Sequence, residues 1–307
     1  MMKLPEVTRV YQNHTFDSTR WQGFVPRDDD IVIATSYKSG TTWTQAIVAH
    51  LLFPRGNMPA PPTVLSPWLD MRIVPLEVTL NKLKAQTNRR FIKTHLSLNG
   101  LPYYENLKYL YIARDARDVF MSLWNHYTHM REEVIGLMNG LPGREGEELP
   151  LPPNDIHTFW KDWMTRATFE NESDGWPFWS HLSNVQSWWD FRHMPNIRLF
   201  HYSDMLKDTD KAVREMAAFL EIDVPDDAWE GIVKAVSFSE MKRQGDKYAP
   251  GAGTFWKGGA DTFLNKGKNG RWREVLSDGE LKLYEAACER VLTDECRQWL
   301  EQGGELD

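Results

Sequence analysis

The stretch Ile31-Val-Ile-Ala-Thr-Ser-Tyr-Lys-Ser-Gly-Thr-Thr-Trp43 constrains the fold more than any other part of the chain. It begins as a short apolar run with β-branched residues, which suits a strand buried on both faces. An amphipathic helical pattern over Thr41–Phe53 then takes over. A buried strand that turns within a few residues into a helix aims backbone N–H groups, and the positive end of the helix dipole, at whatever lies over the loop. Such a junction is an anion site. Lys38 adds a point charge, Gly40 lets the backbone come close, and Thr41 and Thr42 supply hydroxyl donors. A plain strand-to-helix turn with a Thr cap would fit the same letters without a ligand. The nucleoside-triphosphate loop G-x-x-x-x-G-K-[ST] is absent, because Lys38 precedes Gly40; ATP with Mg²⁺ is therefore not the implied ligand.

Three further apolar runs, Arg90–Lys93, Tyr109–Ala113 and Ile197–Tyr202, read as strands of the same kind. Helical patterns over Asp115–Met130, Trp179–Arg192 and Asp208–Leu220 lie between and after them. This alternation predicts the α/β class: one domain with a central parallel sheet flanked by helices. A chain of 307 residues can bury one large core, and residues 1–28 read as an N-terminal arm. Trp229–Val236 and Ser277–Trp299 also read as helical. Gly136–Pro153 is rich in Gly, Pro and Glu and reads as a mobile loop, either a lid or a plain surface insertion. Gly245–Gly270 is glycine-rich and reads as largely irregular, able to cover a ligand backbone-first.

Lys+Arg 36 against Asp+Glu 43 gives a net charge of −7. That excludes the broad basic surface needed for nucleic acid but leaves room for a small anionic ligand held locally. On one helix Cys288 and Cys296 would lie roughly 12 Å apart, too far for a disulfide. They read as free thiols of a reducing compartment. No apolar run approaches the roughly 20 residues of a membrane span, and Met1 to Asp17 lacks a signal-peptide core, so a cytoplasmic location is expected.

Phe91-Ile-Lys-Thr-His95 ends a strand with Lys-x-His, which turns Lys93 and His95 to one side of the sheet. Carboxyl ends of strands are where open α/β sheets bind ligands. Histidine is suited to take a proton near neutral pH, although a lone His also serves well as a structural hydrogen-bonder. In Tyr109-Leu-Tyr-Ile-Ala-Arg-Asp-Ala-Arg-Asp-Val-Phe-Met-Ser-Leu-Trp124, Arg114 stands at a strand end and Ser122 about two turns into a helix. Arg can hold a phosphate through two parallel hydrogen bonds, while a solvated helix start would equally explain Arg114, Arg117 and Asp118.

Taken together, these segments resemble the cytosolic sulfotransferase family from about residue 30 to 300. Ser36-Tyr-Lys-Ser-Gly-Thr-Thr-Trp43 is similar to its Y-P-K-S-G-T-T-W loop, with Ser36-Tyr37 where Tyr-Pro is usual. Lys93-Thr-His95 matches K-T-H, whose His is the catalytic base. The Arg114 segment resembles Y-x-x-R-N-P-K-D-x-x-x-S, with Asp115-Ala116 replacing Asn-Pro. Phe263-Leu-Asn-Lys-Gly-Lys-Asn-Gly-Arg-Trp272 resembles R-K-G-x-x-G-x-W, with Asn265 in place of the leading Arg. Leu199–Asp204 resembles L-x-x-Y-E-D, and Val236–Met241 resembles T-S-F-x-x-M with Val for Thr.

The resemblance implies sulfuryl transfer from 3′-phosphoadenosine-5′-phosphosulfate (PAPS), leaving 3′-phosphoadenosine-5′-phosphate (PAP), without a metal. It assigns Lys38, Ser39, Gly40, Thr41, Thr42 and Trp43 to the 5′-phosphosulfate loop. Arg114, Ser122, Lys266 and Gly267 fall at the 3′-phosphate, beside Asn265. Tyr202, Ser237, Phe238 and Met241 fall around the adenine. His95 becomes the base, Lys38 the group that stabilises the leaving phosphate oxygen, and Lys93 an aid at the transferring group. Ser122 would also restrain Lys38 until acceptor binds.

The acceptor class stays open among an alcohol, a phenol and the sugar of a glycolipid. Phe159, Trp160, Trp163, Trp176, Phe178, Trp179, Trp188 and Trp189 fit an acceptor pocket or the core equally well. His50 reads as structural, and His181 carries no assigned role. His126 and His129 lie one turn apart without a third ligand, so zinc is not expected. A homodimer is an assembly the resemblance allows. The rival readings are a small-molecule kinase and a non-catalytic nucleotide-binding protein. The Lys-before-Gly order opposes the first, and His95 beside Lys38 and Lys93 opposes the second.

Overall fold

The computed structural model describes residues 3–306. Four strands, β1 (Ile31–Thr35), β2 (Phe91–Thr94), β3 (Lys108–Ala113) and β4 (Ile197–His201), form one sheet in the order β2-β1-β3-β4. All neighbours are parallel, with Val32 level with Ile92 on one side and Tyr109 on the other. Successive side chains of a strand point to opposite faces, and here both faces are covered. Ile31, Ile33, Leu110 and Ile112 enter one core with the helices Thr41–Leu52 and Thr209–Leu220. Val32, Ala34, Tyr109 and Tyr111 enter the other, closed by helices Ala116–Thr128, Ile156–Thr165, His181–Trp189 and Asp278–Val291. Phe159, Trp160, Trp163, Trp188 and Trp189 belong to that second core. Cutting a buried Trp such as Trp163 to Ala would cost about 3–5 kcal/mol.

The chain leaves β1 for β2 at one edge and returns to β3 on the far side of β1. The helix after β1 lies on one face and the helix after β3 on the other. The two connections diverge, and a crevice opens at the carboxyl ends of β1 and β3. This is the switch point at which open α/β sheets bind ligands.

Several expected boundaries shift. β4 stops at His201, because Tyr202 opens a six-residue helix to Lys207 whose Ser203 N–H is taken by the His201 ring. Residues 132–139 form the helix Glu132–Asn139, with Val134, Ile135 and Met138 buried, so the irregular stretch begins only at Gly140. The Asn139 side chain ties that stretch down, bonding both N–H and C=O of Leu149. The segment 245–270 is not largely irregular. It holds the short helices Gly245–Tyr248, Ala252–Phe255 and Gly259–Phe263, two of them entered through left-handed glycines at 251 and 258. The last helical stretch is two helices, Asp278–Val291 and Asp294–Gln302, the second capped by Thr293. Cys288 and Cys296 therefore sit on different helices. Both are buried and free, and burial pushes the Cys288 thiol up to about 12. The helices Leu76–Ala85 and Ile156–Thr165 were not anticipated, although Phe159, Trp160, Trp163 and Met164 carry a helical spacing. Among the described residues no helix is long and apolar enough to cross a membrane.

Candidate active site

A cavity of about 440 Å³ occupies the switch-point crevice. Its floor is the turn after β1. Lys38 takes a left-handed backbone (φ 57°) and so does Gly40 (φ 110°), just before the helix begins at Thr41. Close-set left-handed residues turn successive N–H groups to one side, the concave arrangement that holds anions. A Cβ on Gly40 would meet the Tyr202 ring at 3.0 Å, so this approach of loop to ring requires glycine. Thr41 and Thr42 line the cavity, and the Thr41 hydroxyl lies 2.6 Å from that of Thr35. Ser39 does not line it. The Ser39 hydroxyl turns inward to the Tyr37 carbonyl, leaving only its backbone N–H for a ligand.

His95 follows β2 and meets the end of β1. Its Nδ1 lies 2.8 Å from the Thr35 carbonyl, which can only accept, so Nδ1 carries the hydrogen. Nε2 then holds the lone pair, and among the described residues no group bonds it. The ring stands edge-on to Trp68 at 4.7 Å and tilts over Trp179. Burial, then the Lys93 and Lys38 charges, hold its pKa well below 6.5, against the opposing pull of the Thr35 carbonyl. His95 is thus a neutral base near pH 7.

Lys93 Nζ lies 4.2 Å above the Trp68 ring and is pushed down to about 8 by burial, with Asp70 opposing. Lys38 is pushed down to about 7 by burial and by Lys93 and Arg114. The expected tether of Lys38 by Ser122 is not formed. Ser122 lines the cavity, but Lys38 Nζ reaches His126 Nδ1 instead, at 3.1 Å. His129 turns away, its Nδ1 2.8 Å from the Asn125 carbonyl, so the two histidines do not converge on a metal. Among the described residues no cluster fit to hold a metal ion occurs.

At the other end of the cavity the Arg114 guanidinium packs over the Tyr202 ring at 4.3 Å. It donates to Asn269 Oδ1 through Nη2 (2.8 Å) and Nε (3.1 Å), and to the Lys38 carbonyl. Asn269 was not singled out from the sequence, and no spacing signal marks it. The Arg114 backbone is fixed by His181, whose Nε2 lies 3.0 Å from the Arg114 carbonyl, so His181 is a structural partner of the site. Asp118 accepts from the Gly270 N–H at 2.7 Å and ties the glycine-rich segment to the helix after β3. Lys266, Gly267, Asn265 and Arg271 line the cavity beside it. Gly267 has φ +59°, and a Cβ there would collide with the Phe238 ring at 2.6 Å. Trp43 donates to the Val236 carbonyl and stands edge-on to Tyr202, with Ser237, Phe238 and Met241 close by.

The remaining wall is apolar: Met71, Ile73, Met130, Val134 and Met138, with Trp179 and Trp256. Among the described residues, six Lys and Arg side chains line the cavity and no Asp or Glu does.

The model of the sulfotransferase domain matches residues 28–298. The chain belongs to the sulfotransferase domain family. A glycolipid sulfotransferase of Mycobacterium bovis (strain BCG / Pasteur 1173P2) is 28% identical over 312 residues, spanning 96% of this chain and 94% of its own. Sulfotransferase 1B1 of Canis lupus familiaris is 28% identical over 292 residues, spanning 91% and 90%. Among solved structures, mouse sulfotransferase SULT7A1 complexed with PAP superposes with a TM-score of 0.68 at 22% identity, over 94% of this chain and 93% of that one. Retinol dehydratase in a complex with retinol and PAP gives 0.68 at 23% identity, over 90% and 84%. These likenesses bear out the fold, and the family bears out the enzyme class over the kinase and non-catalytic readings.

Proposed function

We propose that this sulfotransferase moves the sulfuryl group of PAPS to the hydroxyl of a lipophilic acceptor that carries no positive charge. One observation carries the reading. His95 is fixed as the Nδ1–H tautomer by Thr35, with a free Nε2 beside Lys38 and Lys93, at the seam between the polar and apolar ends of the cavity. The acceptor hydroxyl gives its proton to Nε2 as its oxygen bonds to sulfur. The bond from sulfur to the 5′-phosphate oxygen breaks, and PAP leaves with that electron pair. Lys38 and the loop N–H groups meet the charge on the leaving oxygen, and Lys93 meets that on the transferring oxygens. Such a displacement is governed by positioning and charge stabilisation.

Arg114 and Arg271 hold the 3′-phosphate. Asn265 cannot supply the guanidinium its position usually carries, but Arg271 reaches the same cavity with a buried Nε that has no partner among the described residues. Asn269 holds the Arg114 fork until phosphate displaces it. The segment 245–270 covers the nucleotide, and Phe238 with Trp43 and Tyr202 frame the adenine. PAP bound to two structures of this fold supports the donor. The Met and Trp wall, together with mycobacterial relatives named for glycolipids, supports a bulky apolar alcohol or glycolipid. A cavity lined by six Lys and Arg side chains and, among the described residues, by no carboxylate has nothing to pair an ammonium, which argues against amine-bearing acceptors.

The test is thermal stability with PAP, ADP, AMP and ATP–Mg²⁺ at equal concentrations. A ligand at 100 times its Kd adds about 2.7 kcal/mol, a clear melting shift. PAP is expected to stabilise most. Stabilisation by ATP–Mg²⁺ with PAP inert would refute the donor assignment.

A further inference from the structure

His126 stands outside every motif that the functional reading absorbed. It lies on the helix after β3, one turn beyond Ser122, and its ring packs against the Trp256–Phe263 pair, tilted to both, at 4.5 Å and 5.9 Å. Its Nδ1 is 3.1 Å from Lys38 Nζ, and it is the one hydrogen-bond partner of that ammonium among the described residues. The Phe263 face lies 4.9 Å from the same Nζ.

We propose that His126 is the positioning residue for Lys38: its imidazole accepts one N–H of the ammonium through Nδ1, holding the charge at the seam of the cavity and keeping it protonated for the donor's 5′-phosphate. The inference rests on the assignment of Lys38 to that phosphate. An ammonium has three N–H donors, so one bond to His126 leaves two for ligand oxygens. The bond also has an energetic task. The charges of Lys93 from β2 and of Arg114 just after β3 act on Lys38, and Lys93 with the His95 ring also acts on His126; among the described residues no carboxylate acts on either, and Asp70, bonded to Trp21 and Trp68, acts on Lys93 alone of these groups. An ammonium in this setting is destabilised, and a neutral acceptor favours its charged form. His126 stays neutral because burial, then the Lys38 and Lys93 charges, hold its pKa well below 6.5. Nδ1 can then accept only as the Nε2–H tautomer. A phenylalanine here would keep the packing against Trp256 and Phe263 but offer no acceptor.

The test is PAP affinity by titration calorimetry from pH 6 to pH 9, for wild type, His126→Phe, His126→Asn and Lys38→Met. Losing the acceptor lowers the Lys38 pKa, so the ammonium is depleted at high pH and spared at low pH. A drop of about one unit makes His126→Phe bind PAP roughly tenfold more weakly at pH 8 and only about twofold more weakly at pH 6. In His126→Asn the amide oxygen takes the place of Nδ1, and affinity at pH 8 is expected back within about threefold of wild type. An unchanged pH profile in His126→Phe overturns the proposal. So does an equal loss at every pH that Asn does not rescue, since the ring would then only fill space. Lys38→Met separates the two claims. Normal PAP binding in that variant refutes the Lys38 assignment, and weakened binding there with His126→Phe unaltered refutes His126 alone.

Discussion

At the proposed nucleotide end of the cavity, Lys38, Gly40, Thr41 and Thr42 follow β1 and Arg114 follows β3, each close to a strand terminus, and Arg271 reaches in from just after the glycine-rich segment. The acceptor end draws single side chains from distant places, with Met71 and Ile73 before one helix, Met138 at the end of another, and Trp179 and Trp256 from separate loops. One end is held by backbone geometry, hydrogen bonds and buried cations, the other by packing. Hydrogen-bonded contacts have narrow geometry and fail sharply when altered, whereas apolar walls tolerate exchange among residues of similar size. The two ends should therefore respond differently to substitution, and the seam at His95 should fail hardest.

Removing the base tests the seam directly. His95→Ala is expected to lower the rate of sulfuryl transfer by about 10²–10⁴-fold, with PAP affinity within about twofold of wild type. Radiolabelled transfer and calorimetry on the same preparation check both halves. Lost PAP binding would move His95 to the nucleotide end and erase the proposed division. Arg114→Ala comes next. A hydrogen bond to a charged group contributes about 1.5–3 kcal/mol, so PAP should bind roughly 10–100-fold more weakly while AMP, lacking the 3′-phosphate, changes little. Equal weakening of both nucleotides would refute the 3′-phosphate role.

The same contrast explains what could be read from the letters. β1, its loop and the Arg114 strand end were legible because each combines a local apolar run with a local turn, and the structure places all four strands within a residue or so of expectation. The partner of Lys38 was not legible. Ser122 and His126 are four residues apart on one helix, so both face the lysine, and reach rather than sequence spacing selects the longer His126. Asn269 was missed because a polar residue in a glycine-rich loop carries no period. Of the apolar wall the sequence offered only Phe178 and Trp179, and the part from residues 130–138 was missed for a related cause. Gly136 and the Pro residues after it suggested a loop, yet Val134, Ile135 and Met138 are spaced as a buried helical face. Tertiary packing overrode the composition there.

Tolerance at the acceptor end gives a smaller effect with a change of sign. Ile73→Glu would place a carboxylate on a wall that has none. Turnover of a neutral phenol such as 4-nitrophenol should fall about tenfold, and that of a phenolic amine should rise by a similar factor, a balance of roughly 1.4 kcal/mol each way. PAP affinity should stay unchanged. A parallel loss for both acceptors would mean that residue 73 shapes the wall without selecting charge.

The smallest expected effect is the most direct measure of how the two ends communicate. His95 is held neutral by burial and by Lys93 and Lys38, so its proton affinity depends on charges that belong to the nucleotide end. Its ring can be followed by NMR through a pH titration, with His95→Ala giving the assignment. Without ligand the ring should remain neutral on acidification well past 6.5, the ordinary midpoint of histidine. PAP brings negative charge against Lys38 and offsets the cations that disfavour imidazolium, so the midpoint should rise on binding. The direction follows from the sign of the ligand alone: an added anion favours the protonated ring. A midpoint near 6.5 in the free protein would mean that water, not the cations, surrounds the base. A midpoint that PAP leaves unmoved would mean that the nucleotide's charge does not reach His95, and the two ends would then be neighbours without electrostatic coupling.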